Sequence, residues 1–90
     1  MSDINQISGK QLAAARALLG IGQVELAAMS GISAPTLRRM ESSFAPIPGV
    51  TNNVRAVVSK LEDLGIEFIG GSGVNLKFVQ STFDVFERHT

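Results

Sequence analysis

The chain has 90 residues, 44% of them hydrophobic, with no cysteine, one histidine, and eight basic side chains against eight acidic ones. That length holds one domain and not two, the apolar share excludes a disordered chain, and the absence of cysteine excludes a disulfide framework and a thiolate zinc site. Taken as a total, the net charge of +0 argues against a protein built to bind a polyanion. Residues 1–6 are polar, without the basic segment and apolar run of a signal or transit peptide, and no apolar stretch is long enough to span a membrane, so a cytoplasmic location is expected. Ser8 and Gln11, three apart, read as a capping box, with Ile7 and Leu12 as its hydrophobic staple. Leu12, Ala15, Leu18 and Leu19 then share one apolar face of a first helix, which Gly20 stops. A second helix runs from residue 23 to about 29, with Gly22 as its cap and Gly31 as its breaker. Ser33 caps a third, Pro35 falls in its first turn, where the missing N–H does no harm, and Leu37 and Met40 mark its buried side. Residues 42–50 hold two prolines and a glycine and read as a loop. Thr51 caps a fourth helix whose Val54, Val57, Val58, Leu61 and Leu64 fit the helical template. Gly65 ends it and places Ile66 to fold back on Leu61.

After Gly65 the apolar period changes from helical to two. Ile66 and Phe68, then Val74, Leu76 and Phe78, alternate with polar residues on either side of Gly70, Gly71, Ser72 and Gly73, which is a β-hairpin pattern. No strand-to-helix context follows these glycines, so a turn is the reading rather than a phosphate loop. Shared faces pair Phe68 with Leu76 and Ile66 with Phe78, set Glu67 opposite Lys77, and require an odd loop, residues 70–74. The tail allows a short helix capped by Ser81 or Thr82 and running through Phe86, or a third strand. The fold class is therefore mainly α: four to five short helices containing a helix-turn-helix, followed by a C-terminal β-hairpin. Residues 1–65 form the helical part, and residues 66–90, the hairpin and Phe-rich tail, belong to the same compact unit.

Residues 23–41, QVELAAMSGISAPTLRRME, carry the informative spacing. Two short helices crossing at roughly 90–120° need a small residue where they touch, a glycine in the tight turn, inward apolar positions and a cap on the second helix. Ala27, Gly31, the set Leu26, Ile32, Leu37 and Met40, and Ser33 supply these. The outward side of the second helix, with Ala34, Pro35, Thr36, Arg38 and Arg39, is left for another partner.

This pattern resembles the helix-turn-helix of the lambda repressor/Cro-like family, often called the Xre family, from residue 8 to about residue 64. In the family's phage repressors an Arg on the first helix pairs with a Glu closing the third, and Arg16 and Glu41 match those positions. The segment LGIEFI followed by a glycine turn and a second strand is similar to one in a subgroup of small regulators. The resemblance implies binding to duplex DNA, with residues 33–40 as the recognition helix in the major groove. Gln23 matches a phosphate-binding Gln at the start of the second helix. Ala34, Pro35, Thr36 and Arg39 stand where the family meets bases, with Arg39 suited to guanine and Ala34 and Thr36 to a thymine methyl, and the capping Ser33 joins the DNA-binding set. Arg38 matches a phosphate or flanking contact. Ser42 and Ser43 join the DNA-binding set at the helix end, where the family commonly has glycine, and Gly22 replaces the usual Ser or Thr.

Phe68, Leu76, Phe78, Phe83 and Phe86 gather in the last third. They either cover the helical core or join two copies, and self-association into a C2 dimer is the reading taken, placing two recognition helices on a palindromic operator. Charge is divided in the same way: residues 10–60 hold six basic and two acidic side chains, net +4, and residues 61–90 hold two basic and five acidic, net −3. His89 is expected in solvent, and no pocket-building element surrounds it. Neither catalysis, metal nor cofactor is expected. The expectation is a homodimeric repressor in a bacterium or phage, binding double-stranded DNA. The rival is a protein-interaction module, such as an antitoxin or antiactivator, that holds a protein partner through its C-terminal tail with DNA binding secondary.

Overall fold

Local signals bracket the helices before any packing is considered. The computed structural model describes residues 7–43, 51–70 and 72–78. Within them the chain is mainly α, with α1 (Gly9–Leu19), α2 (Gln23–Ser30), α3 (Ala34–Glu41) and α4 (Thr51–Asp63) followed by a hairpin of β1 (Ile66–Ile69) and β2 (Gly73–Leu76). Ser8 Oγ accepts the Gln11 N–H at 3.2 Å while Gln11 Oε1 accepts the Ser8 N–H at 2.9 Å, so the capping box is complete. Gly31 sits at φ +74° between α2 and α3. That left-handed conformation lets Ile32 N–H reach back to the Ala27 carbonyl at 3.0 Å, closing α2 in the Schellman manner. Ser33 caps α3 by accepting the Thr36 N–H at 3.2 Å. Thr51 is the first residue of α4 rather than its cap. Of the loop expected over residues 42–50, residues 44–50 lie outside the described residues, as does everything from residue 79 onward, with the two readings of Ser81, Thr82, Phe83 and Phe86.

One core joins all of these elements. Ile7, Leu12 and Ala15 from the start of α1, Leu26 and Ala27, Leu37 and Met40, then Val54, Val57, Val58 and Leu61 are buried together with Ile66 and Phe68 of β1. Ile32, Leu19, Val74 and Leu76 pack against this cluster from its edge. Leu18 is the exception to the expected α1 face: it is 47% exposed. It lies seven residues beyond Gln11 and so on the same flank. The hairpin covers that flank at Gln11, whose amide bonds to it. The buried stripe of α1 runs instead through Leu12, Ala15 and the partly covered Leu19.

The hairpin is antiparallel and pairs Ile66 with Leu76, Glu67 with Asn75, Phe68 with Val74 and Ile69 with Gly73. The loop between the strands is odd, as the shared faces require, but it is three residues rather than five, so the register is two residues from the expected one. A shift of two keeps every side chain on its face, which is why alternation alone could not select between them. Asn75, not Lys77, stands opposite Glu67, and its amide donates to the carboxylate at 3.4 Å. Lys77 N–H instead donates to the Gly65 carbonyl at 2.7 Å. This carries Phe78 past Ile66 to lie against Gly65, where a Cβ would collide with the Phe78 carbonyl. No single helix among the described residues is long and apolar enough to cross a membrane.

Candidate nucleic-acid interface

The face of α3 follows from its sequence. Eight residues give little more than two turns, and Leu37, Met40 and Glu41 point into the molecule. The opposite side then carries Pro35, Arg38 and Arg39, all exposed, with Thr36 half-buried at its near end, whereas Ala34, expected on this outward side, packs against the core. Neither the Arg38 nor the Arg39 guanidinium is held by a hydrogen bond or ion pair among the described residues. The N-terminal turn is poor in free donors. Pro35 has no N–H, the Thr36 N–H is taken by Ser33, and Leu37 N–H donates to the Ser33 carbonyl at 3.1 Å. The two hydroxyls of Ser33 and Thr36 bond each other at 2.8 Å.

Behind this face lies a polar cluster that fixes α3 to α1 and α2. Arg16 presents a fork to Glu41, Nε to Oε2 at 2.9 Å and Nη2 to Oε1 at 3.0 Å, and its remaining nitrogen donates to the Ile21 carbonyl at 3.1 Å. The side chains are 22% and 5% exposed. The pairing of Arg16 with Glu41 that the family resemblance implied is thus present. The hydrogen bond to Glu41 is the chief cause that raises the Arg16 pKa above its ordinary value; burial opposes it and the carboxylate's charge adds to it. Gln23 is a member of the same cluster: its amide donates to Glu41 Oε1 at 2.9 Å. One of its hydrogens is therefore turned inward, whereas the resemblance assigned Gln23 to a phosphate; its second hydrogen has no partner among the described residues.

The other expected residues divide. Ser42 closes α3 by donating to the Arg39 carbonyl at 2.8 Å, and the Ser43 carbonyl accepts the Lys10 N–H at 3.2 Å, so both act in the C-terminal turn of the helix. Among the residues assigned to a dimer interface, Phe68 is only 7% exposed and belongs to the protomer's own core. Leu76 is half-buried beside it, Phe78 is 45% exposed, and Phe83 and Phe86 lie outside the described residues. Sequence reasoning missed Gly9. A Cβ there would collide with the Met40 carbonyl, so glycine lets α1 meet the end of α3 backbone to backbone. It also missed the long reach of Gln11 to the hairpin. Nothing local signals either, since both contacts join segments remote in sequence. No three His, Asp or Glu side chains gather as a metal centre would require among the described residues. No family model matches the chain, and no curated protein matches it in sequence.

Proposed function

We propose that this chain is a sequence-specific, double-stranded DNA-binding transcriptional regulator of the lambda repressor/Cro-like kind, acting in the cytoplasm as a homodimeric repressor without catalysis or cofactor. The observation that carries this reading is the outer face of α3. Arg38 and Arg39 stand exposed, their side chains unpaired among the described residues, on a short helix whose other side is buried and tied down by Arg16 and Gln23 through Glu41. A helix held rigidly behind and basic in front suits the major groove, whose base edges and flanking phosphates accept from guanidinium groups. Arg39 reads a base, Arg38 holds the backbone, and repression follows from occupying promoter DNA. A second reading, a protein-binding module, rests on the exposure of Ile69 and Phe78 on the hairpin.

Selection from random duplexes, followed by anisotropy titration of the enriched sequence, tests the first reading. Arg39→Ala is expected to relax preference at one base position and to cost about 1–3 kcal/mol. Arg38→Ala should weaken all duplexes alike and lower the dependence on salt. Failure of the unmodified chain to enrich any sequence would remove DNA reading and leave the protein-binding module.

A further inference from the structure

The first turn of α1 touches two parts of the molecule that are far apart in sequence. On one side, Gln11 is buried and donates from its amide to the carbonyls of Ile69 at 3.3 Å and Gly73 at 3.0 Å, the pair that closes the hairpin loop. Its carbonyl oxygen meanwhile holds the Ser8 N–H of the capping box. On the other side, Gly9 meets the Met40 carbonyl with no room for a Cβ, and the Lys10 N–H donates to the Ser43 carbonyl at 3.2 Å. All these contacts fall within residues 8–11. We infer that this turn couples the hairpin to α3, with Gln11 as a positioning residue for the recognition helix.

The mechanism follows from packing. A two-stranded hairpin is marginal by itself, so its seat depends on what holds it: Ile66 and Phe68 below, and the amide of Gln11 at its loop. Withdrawal of the hairpin takes both acceptors from that amide. The side chain that completes the α1 cap is then freed, and the first turn loosens. The backbone contacts of Gly9 and Lys10 with the end of α3 loosen with it, because close-packed backbone has no slack to absorb a displacement. The coupling runs in both directions, as linkage requires. A partner that pulls the hairpin away weakens DNA binding, and DNA holding α3 in place tightens the hairpin. Only the DNA part of this statement rests on the function proposed above.

Gln11→Glu separates the two roles of the side chain. Glutamate at this position still accepts the Ser8 N–H, as capping boxes commonly do, but its carboxylate cannot donate to Ile69 and Gly73. Amide hydrogen exchange, read residue by residue, is expected to show lost protection at Lys77 in the hairpin and also at Met40 and Glu41 in α3, while Val57 and Val58 in α4 keep theirs. Affinity for the selected duplex is expected to fall about tenfold, within the ordinary range of coupling between sites. Lost protection at Lys77 with Met40 and Glu41 unchanged would overturn the coupling. If the variant does not fold, exchange in the unmodified chain decides: Met40 and Lys77 should open with one shared free energy, and independent opening refutes the link. If the unmodified chain binds no duplex, the regulator reading fails and the exchange pattern alone judges the coupling.

Discussion

Glu41 is the residue on which the geometry of α3 turns. It is nearly sealed from solvent and carries both Arg16 and Gln23 on its two oxygens. Arg16→Met would keep the aliphatic stem of the side chain and remove the guanidinium, leaving a buried carboxylate with one neutral donor. Because Arg16 remains partly exposed, the cost should fall somewhat below the range for a fully buried pair, about 2–4 kcal/mol, read as a lowered denaturant midpoint at unchanged slope. Since Glu41 raises the Arg16 pKa, the contribution of the guanidinium is fully present below its ordinary value and is lost only as pH climbs through the raised one, so neutral and mildly alkaline melts should not differ on its account. A second expectation concerns Thr36. With its hydroxyl bonded to Ser33 and its N–H taken by the same cap, it has its methyl group left to offer a base. Replacing thymine by uracil at one position of the selected duplex removes the matching methyl alone. An affinity loss of roughly threefold to tenfold at one such position is expected, from about one buried methyl, and Thr36→Ser should erase the difference between the two duplexes. Equal affinity for thymine and uracil duplexes at every position would show that α3 reads no methyl.

At the scale of elements, two small residues should behave in opposite ways in the same thermal melt. Gly9→Ala drives a methyl into the Met40 carbonyl, and separating α1 from α3 is expected to cost about 1–3 kcal/mol despite alanine's better helix propensity. Ser30, at the end of α2, buries its hydroxyl without a hydrogen-bond partner among the described residues. Ser30→Ala removes that unsatisfied group and should be neutral or stabilising. A stabilised Gly9→Ala would mean that α1 does not approach α3 so closely. These two positions also mark what the sequence could and could not reveal. The helices were legible because caps and breakers act within a few residues: Ser8 with Gln11, Ser33 with Thr36, Gly31 with Ala27. Their buried stripes were legible from period, except at Leu64, which lies half-buried beyond the end of α4, and at Leu18, where period could not tell that the hairpin covers one turn of a flank and not the next. The hairpin was legible in its faces and in the parity of its loop, not in its register, since Gln11 holds the loop from a site 58 and 62 residues away. Of the candidate interface, the exposed basic side of α3 could be anticipated. The inward bond of Gln23 could not, because it depends on where the end of α3 meets the start of α2.

For the whole molecule, the balance of charge matters less than its placement. Arg16 is neutralised inside the cluster by Glu41, so its charge does not belong to the exposed basic surface. What remains on the helical half includes Lys10, Arg38, Arg39 and Arg55, all exposed, a modest field for one protomer. Weak non-specific attraction of this kind favours a second copy, which would double the phosphate contacts and give Ile69 and Phe78, 51% and 45% exposed on the hairpin, a surface to cover. Phe68 is already committed to its own core, so such an interface would be built on the outer side and the end of the hairpin. A protomer with about three to four phosphate contacts should show a log–log salt slope near −3, and a dimer spanning two half-sites a slope near −6. Phe78→Ser should leave the helices intact, move the sedimenting species from dimer to monomer at tens of micromolar, and return the slope toward the single-protomer value together with a large loss of affinity. If the unmodified chain sediments as a monomer with and without its duplex, the dimer is refuted. A slope near −3 on a palindrome would then mean that each protomer reads its half-site alone, with specificity limited to what Arg39 and the first turn of α3 provide.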